Sequence, residues 1–250
     1  MPGVPSRESD YLDGLRDRLS EVLGERLAGV YAGGSYALGD YLPGRSDLDV
    51  AAVVRSPLSP EFADAIVSQL HHDALPCPAR CLELVVYMEE TARSGSPARD
   101  FALNLNTGGA IPLSVQRRSN ASDRGSHWFA IDRSILSQAG VALLGPPAAE
   151  LFAPIPPVEL VPTLIESVRW HRERGADRSD AVLNACRSLH YAHEEEWSSK
   201  PAAGQWAVEK WLAPAGLVTR ALTRRTRGGT LDAVEVDAFL SGVEARLQTR

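Results

Sequence analysis

Three acidic side chains and one glycine turn have the residue types and spacing to bind a metal ion and a phosphate. Asp47 and Asp49 are separated by one residue, and such positions of a strand point to the same side. Glu83 is the one acid in the apolar segment 81–88, where a carboxylate is costly unless it contacts water, a partner or a metal ion. The Gly-Gly-Ser turn at 33–35 offers backbone N–H groups and a hydroxyl. Because oxygen ligands suit Mg²⁺, the pattern predicts a site for Mg²⁺ and a nucleoside triphosphate.

Each of these features also has a purely structural explanation that involves no metal ion or ligand. A Gly-Gly pair is often just a turn, and two acids at the start of a strand are often solvated. However, Leu48 and Val50 alternate with the acids, which predicts a half-buried strand whose acidic side must be accommodated. This alternation favours the functional interpretation.

Strands and helices alternate in the first part of the chain, as expected for an α/β layer that positions the acids. Apolar spacing predicts helices at 9–27, 36–42, 60–74 and 127–140, and strands at 28–32, 47–54, 82–88, 101–106 and 141–144. The Gly-, Ser- and Arg-rich stretch that follows Asn106 and ends near Ser126 is predicted to be a mobile surface loop.

The prolines between residues 146 and 157 mark the clearest domain boundary, and beyond them the strand signals end. Helical spacing recurs at 157–174, 178–196, 201–212, 214–226 and 231–248. The sequence therefore predicts an α/β (α+β) domain over 1–150, followed by an all-α helical bundle domain over 151–250. Trp197, Trp206 and Trp211 are interpreted as packing residues of the bundle.

Composition excludes several classes of protein. The 26 basic against 32 acidic residues give a net charge of −6, which leaves no basic excess for a general nucleic-acid binder. The N-terminal segment 1–10 lacks the apolar core of a signal peptide, and no run of apolar residues is long enough to span a membrane. The three cysteines, which show no paired spacing, favour a reducing compartment. We therefore expect a cytoplasmic protein.

The segments Gly33-Gly34-Ser35 and Arg45-Ser46-Asp47-Leu48-Asp49 resemble the signature of the polymerase-beta-like nucleotidyltransferase superfamily. Within it, the chain is similar to the aminoglycoside 3''(9)-O-adenylyltransferases, which confer resistance to streptomycin and spectinomycin. Segments 141–154 and 205–210 extend the resemblance beyond the catalytic domain. The resemblance implies a nucleotidyltransferase domain with a mixed sheet, and Mg²⁺-dependent transfer of AMP from ATP to a drug hydroxyl with release of pyrophosphate.

The resemblance also implies a role for individual residues. Asp47, Asp49 and Glu83 would hold the metal ions, and Glu83 would be the base that takes the proton from the acceptor hydroxyl. The residues implied to contact the nucleotide are Gly34, Ser35, Ser46 and Lys200, the last of which occupies the position of a family lysine that reaches ATP from the helical domain.

The acceptor is expected to contact Trp170, Asp177 and Asp180, which match the family's drug-binding segment. The two aspartates could equally be the cap and first turn of a helix. Asn106 stands where members that modify streptomycin have a tryptophan, which favours spectinomycin over streptomycin as the acceptor.

Two other functions remain open at this point. One is a nucleotidyltransferase that acts on a hydroxyl acceptor other than an aminoglycoside, or on a protein partner. The other is a nucleotide sensor without turnover, although the complete set of carboxylates argues against it. The expected partners are small molecules and ATP, with no nucleic acid and no membrane, and the chain is expected to be a monomer or a weak dimer.

Overall fold

The computed structural model describes residues 7–117, 126–174 and 179–250, and the chain divides into two compact units. Unit 1 comprises Met1–Pro154 and unit 2 comprises Ile155–Arg250, so the division falls within the proline-rich segment. Part of the predicted N-terminal segment, residues 1–6, lies outside the described residues. In the described part of the chain, no helix is long and apolar enough to cross a membrane.

The described strands of unit 1 form one mixed sheet with the order β5-β4-β3-β2-β1-β6. β2 and β3 are parallel, and every other neighbouring pair is antiparallel. This sheet confirms the predicted fold class of unit 1. The strands are β1 (Leu27–Ala32), β2 (Leu48–Val54), β3 (Leu82–Met88), β4 (Leu103–Gly108), β5 (Ile111–Arg117) and β6 (Val141–Leu144).

Helices of unit 1 pack on both sides of this sheet. The longer ones are α1 (Arg7–Leu23), α3 (Pro60–Leu70) and α5 (Trp128–Ala139). The shorter ones are α2 (Gly34–Ala37), α4 (Glu89–Arg93) and α6 (Ala148–Leu151), together with a 3₁₀ turn at Gly24–Arg26. One core contains residues of α1 and α3, and the other contains residues of α5 and α6.

Successive side chains of β2 and β3 point to opposite faces of the sheet, so they contact the two cores in alternation. Val50 and Leu84 belong to the core that contains α1 and α3. Ala51 and Val85 belong to the core that contains α5 and α6. Asp49 precedes Ala51 by two residues, as Glu83 precedes Val85, so both acids lie on the α5 side of the sheet.

The secondary-structure elements in the described residues of unit 2 are all helices, as the sequence predicts. Serine and aspartate caps start two of its helices, because the Ser199 side chain accepts a hydrogen bond from the N–H of Ala202 and Asp232 accepts from Val234 and Glu235. The helices are α7 (Pro157–Glu173), α8 (Ser179–Glu194), α9 (Lys200–Glu209), α10 (Ala215–Arg227) and α11 (Ala233–Leu247).

Several predictions about local structure were wrong. The expected mobile loop after Asn106 contains β5, which pairs with β4, whereas residues 118–125 of that loop lie outside the described residues. Apolar residues do alternate along β5, at Ile111, Leu113 and Val115, but the Gly-, Ser- and Arg-rich composition around them predicted a loop instead. The short helix expected at 36–42 is instead α2, and α4 and α6 were missed because four or five residues are too few to show a helical period.

Candidate active site

The parallel register of β2 and β3 brings two of the predicted acids together. Asp49 is the direct neighbour of Glu83, and the two point to the same side of the sheet. Asp47 lies just before β2, and the N–H of Leu48 donates a 2.9 Å hydrogen bond to the carbonyl of Cys81. The alternation of β2 and its pairing with β3 thus gather the three carboxylates at one end of the two strands.

Around Asp47, the carboxylate accepts hydrogen bonds from two neighbours. Arg80 binds it through two nitrogens, at 2.8 and 2.5 Å. The Cys81 thiol donates to Asp47 Oδ1 at 2.8 Å and lies 4.0 Å from Glu83 Oε1. Potential ligand atoms of Asp47, Cys81 and Glu83 all lie within 4.8 Å of one another.

Electrostatics sets Glu83 apart from an ordinary surface acid. Burial, followed by the negative charges of Asp49, Asp47 and Asp132, raises its pKa from 4.5 to about 8, against the opposing charge of Arg80. The cluster therefore carries an excess of negative charge that a divalent cation would neutralise.

The residues at this position fit a magnesium site. Magnesium prefers hard oxygen ligands, and one or two carboxylates with phosphate oxygens and water complete its shell. Asp47, Asp49 and Glu83 offer such oxygens, whereas the Cys81 sulfur is a soft ligand that magnesium does not favour. The unfavourable crowding of carboxylates, visible in the raised pKa of Glu83, is an observation that a bound cation would explain.

The glycine turn packs directly against the acid cluster. Gly33 donates a 2.8 Å hydrogen bond to the carbonyl of Asp49. Gly34 has a φ of +51°, and a Cβ atom at this position would lie 1.7 Å from Asp49 Oδ2. Only glycine fits here, because a side chain would enter the space of the carboxylate.

Gly34→Ala is therefore expected to displace Asp49 and to lower the activity proposed below about a hundredfold, since small displacements of catalytic groups have effects of this size. Gly39→Ala is the matched control, because Gly39 also has a positive φ, +74°, but no atom lies within 4 Å of a Cβ built there. Its cost is limited to backbone strain of about 1 kcal/mol in the free energy of unfolding. Equal activities of the two variants would contradict the role of Gly34.

The two serines that the resemblance assigns to the nucleotide lie in neighbouring turns. Ser35 is in the single turn of α2, next to Gly34. The Ser46 hydroxyl accepts a 3.0 Å hydrogen bond from the N–H of Leu42, and its carbonyl accepts from the N–H of Arg80. Ser46 therefore fixes the loop that leads into Asp47.

In unit 2, Lys200 and Asp180 form an ion pair of 2.8 Å. Lys200 is the first residue of α9, directly after its cap, and Asp180 lies in the first turn of α8. Partial burial opposes ionisation of Asp180, but the charge and hydrogen bond of Lys200 outweigh it and hold the pKa of Asp180 below its usual value. The residues assigned to nucleotide and acceptor are thus in direct contact.

Of the other two residues assigned to the acceptor, the structure describes Trp170 but not Asp177. Trp170 lies near the end of α7, with the guanidinium of Arg174 4.6 Å from its ring centre and the His171 ring edge-on to it. Asp177 lies outside the described residues. Asn106 is the register partner of Glu83 on β4, so the side chain at this position neighbours the predicted base.

Sequence reasoning missed three neighbours of the acid cluster. Arg80 and Cys81 contact Asp47, and Asp132 of α5 acts on Glu83 through its charge. Arg80 could have been noticed as the charge that precedes β3. Asp132 carried no signal, because an acid on a helix gives no indication of the strand that it faces.

Comparisons with known proteins agree with this architecture. The family model described as Nucleotidyltransferase domain matches residues 12–91, and that described as Aminoglycoside adenylyltransferase, C-terminal domain, matches residues 150–235. A search of curated protein sequences gave no match. Among solved structures, spectinomycin adenyltransferase AAD(9) from Enterococcus faecialis, crystallised with ATP and spectinomycin, is 18% identical with a TM-score of 0.70. The match covers 96% of this chain and 98% of that chain, and it shows a shared fold.

Proposed function

Because the chain belongs to the aminoglycoside adenylyltransferase family, we propose that it transfers AMP from ATP to a hydroxyl of an aminocyclitol or aminoglycoside and releases pyrophosphate. The observation that carries this proposal is the gathering of Asp47, Asp49 and Glu83 beside the glycine turn. Spectinomycin is the proposed acceptor, because the solved relative of the same fold was crystallised with it and because Asn106 stands where, by the resemblance, members that modify streptomycin have a tryptophan.

The carboxylates account for the dependence on Mg²⁺ that we propose. Magnesium held by Asp47, Asp49 and Glu83 would supply positive charge to the triphosphate. Asp49 is kept in place by the turn at Gly33 and Gly34, and Arg80 orients Asp47 through two hydrogen bonds. Removal of divalent ions with EDTA is accordingly expected to abolish transfer.

In the proposed chemistry, Glu83 is the general base. It accepts the proton of the acceptor hydroxyl while the hydroxyl oxygen forms a bond to the α-phosphorus and the bond to pyrophosphate breaks. A base is most effective when its pKa is close to the operating pH. Burial and the charges of Asp49 and Asp47 raise the pKa of Glu83 to about 8 in the metal-free protein, and a bound divalent cation would lower this pKa and so favour the ionised form that accepts a proton.

For the nucleotide, we propose contacts from Gly34, Ser35, Ser46 and Lys200. The first three provide backbone N–H groups and hydroxyls, which suit phosphate oxygens. The ammonium of Lys200 provides a positive charge for the same purpose.

For the acceptor, we propose Trp170, Asp177 and Asp180. Aminoglycosides carry several positive charges and many hydroxyls, so acids and an aromatic ring are suitable partners. Asp180 is ionised, because Lys200 holds its pKa below the usual value, and it already pairs with one cation, the ammonium of Lys200. An amine of the acceptor would find the same charge there.

The test is incubation of the purified chain with ATP, Mg²⁺ and a panel that includes spectinomycin and streptomycin. We expect mass spectrometry to find AMP added to spectinomycin, with an equal amount of pyrophosphate. Absence of an adduct on every drug would reject the proposed acceptor class. In that case, AMP on a protein or on another hydroxyl compound would support the alternative acceptors.

Lys200→Ala is expected to raise the KM for ATP about tenfold or more, the usual cost of one lost charge-assisted hydrogen bond. Lys210 is the matched control, because it is the only other lysine of the chain and lies exposed just after α9. Steady-state kinetics of both alanine variants measures the difference. Equal KM values for the two variants would remove Lys200 from the nucleotide site.

A further inference from the structure

Arg80 engages a carboxylate that the proposed function assigns to a metal ion. Its Nε donates to Asp47 Oδ1 and its Nη2 donates to Asp47 Oδ2, so one guanidinium binds both oxygens. The Cys81 thiol donates to Oδ1 as well. The oxygens that a cation would use are thus in contact with donor groups, and a cation that binds Asp47 competes with these donors.

The charge of Arg80 acts on a second acid of the cluster. Its guanidinium lowers the pKa of Glu83, against the burial and the carboxylates that raise it. Arg80 therefore gives the cluster the kind of positive charge that a divalent ion supplies more strongly. Two positive groups beside the same carboxylates repel each other, so binding of the ion disfavours the contact between Arg80 and Asp47.

The position of Arg80 allows its side chain to exchange Asp47 for another anion. The side chain is 51% exposed, so water and a ligand can reach it. Its two hydrogen bonds to Asp47 use Nε and Nη2, and Nη1 carries further N–H donors. The long, flexible side chain can turn towards a new partner while the backbone stays in place.

The backbone of Arg80 lies beside a residue assigned to the phosphates. Its N–H donates a 3.1 Å hydrogen bond to the carbonyl of Ser46, the residue that precedes Asp47. One side chain therefore starts next to both the acid and the loop proposed to bind phosphate. The guanidinium suits either partner, because its planar fork of donors matches two oxygens of a carboxylate or of a phosphate.

We propose that Arg80 is a nucleotide-binding residue that exchanges partners: it pairs with Asp47 until a divalent ion takes this carboxylate, and it then binds the phosphates of ATP. The inference rests on the proposed function, because it requires the ion and the triphosphate at this site. It gives Arg80 two opposite effects, since the residue opposes binding of the ion alone and favours binding of the nucleotide. A residue that only oriented Asp47 as a ligand would favour the ion.

The first test is calorimetric titration of the EDTA-treated and dialysed chain with Mn²⁺, without nucleotide. The dissociation constant should fall about tenfold in Arg80→Ala, the size expected from one charge-assisted hydrogen bond. Arg80→Lys keeps the charge, so its constant should stay within a few-fold of the wild type. Arg117→Ala is the control, because Arg117 pairs with Asp64 in the same unit and is 50% exposed. It should leave Mn²⁺ binding unchanged.

The second test measures the nucleotide in the presence of saturating Mg²⁺. The KM for ATP should rise about tenfold or more in Arg80→Ala, and the dissociation constant of a non-hydrolysable ATP analogue should rise with it. Arg80→Lys should recover part of this loss, because an ammonium also binds phosphate. Arg117→Ala should show no loss.

The outcomes of the two tests separate this inference from the proposed function. A wild type that fails to bind Mn²⁺ or the ATP analogue would reject both. If the wild type binds both probes, an Arg80→Ala variant that is not tighter for Mn²⁺, or not weaker for the analogue, would overturn the exchange of partners and leave the proposed function standing. Tighter binding of Mn²⁺ together with weaker binding of the analogue is the expected result.

Discussion

Replacing Glu83 by Gln is expected to lower kcat for adenylyl transfer about 10²–10⁴-fold, the usual contribution of a general base. Gln has nearly the same shape but cannot accept the proton of the acceptor hydroxyl. The KM for ATP should change far less, because Asp47, Asp49 and the glycine turn remain. Steady-state kinetics with saturating Mg²⁺ gives both values.

Glu90→Gln is a suitable control for that experiment, because Glu90 is an exposed acid of α4 in the same unit. A kcat for Glu83→Gln within a few-fold of the control would exclude Glu83 as the base. A large rise in the KM for ATP with unchanged kcat would instead assign Glu83 to nucleotide binding.

A second test of Glu83 is the pH dependence of the free energy of unfolding, measured without metal ions. The folded chain holds the Glu83 proton up to a pKa of about 8, whereas the unfolded chain releases it at about 4.5. The stabilisation from this proton is therefore fully present below pH 4.5 and is lost as the pH rises through 8. Gln stays neutral, so thermal denaturation in EDTA should show the variant gaining stability over the wild type across this range.

Asp49→Asn is expected to abolish binding of one divalent ion and to lower kcat/KM by about a thousandfold, because metal stabilisation of a phosphoryl transition state is worth several kcal/mol. Asn keeps an oxygen of similar position but loses the negative charge. Calorimetric titration with Mn²⁺ and kinetics with Mg²⁺ measure the two effects separately.

The charge of Asp49 also raises the pKa of Glu83, second only to burial. Its loss should relieve this repulsion, so the folded state of Asp49→Asn should be as stable as the wild type or more so. Asp73→Asn serves as the control, since the Asp73 side chain is 93% exposed. Unchanged Mn²⁺ binding by Asp49→Asn would place the metal elsewhere.

The residues of the site differ in how far the sequence could predict them. Asp49 and Glu83 lie on strands, where alternation fixes the side of each residue, and Asp47 directly precedes β2, so their spacing in the chain was sufficient. Arg80 and Asp132 depend on which elements pack together, and their residue types alone did not reveal this. The contact between Lys200 and Asp180 likewise depends on the packing of two helices.

The elements of the fold also differ in how far the sequence could predict them. The long helices of unit 2 have an apolar side that repeats over several turns, and their positions followed from this period. The edge strand β5 has a short alternation of Ile111, Leu113 and Val115, but three apolar residues beside a proline, within a Gly-, Ser- and Arg-rich stretch, were too weak a pattern to predict a strand. Trp211, interpreted as a packing residue, is instead 91% exposed. It was misread because a large apolar residue after a helix is typical of a core, and the sequence does not show the direction in which it points.

The most direct measurement is the anomalous X-ray scattering of Mn²⁺ in crystals grown with a non-hydrolysable ATP analogue. If the account is correct, a manganese peak will lie in contact with carboxylate oxygens of Asp47 and Asp49, with Glu83 at its edge and the phosphates beside the turn at Gly34. A manganese peak away from these acids, or a triphosphate bound elsewhere on the chain, would contradict it.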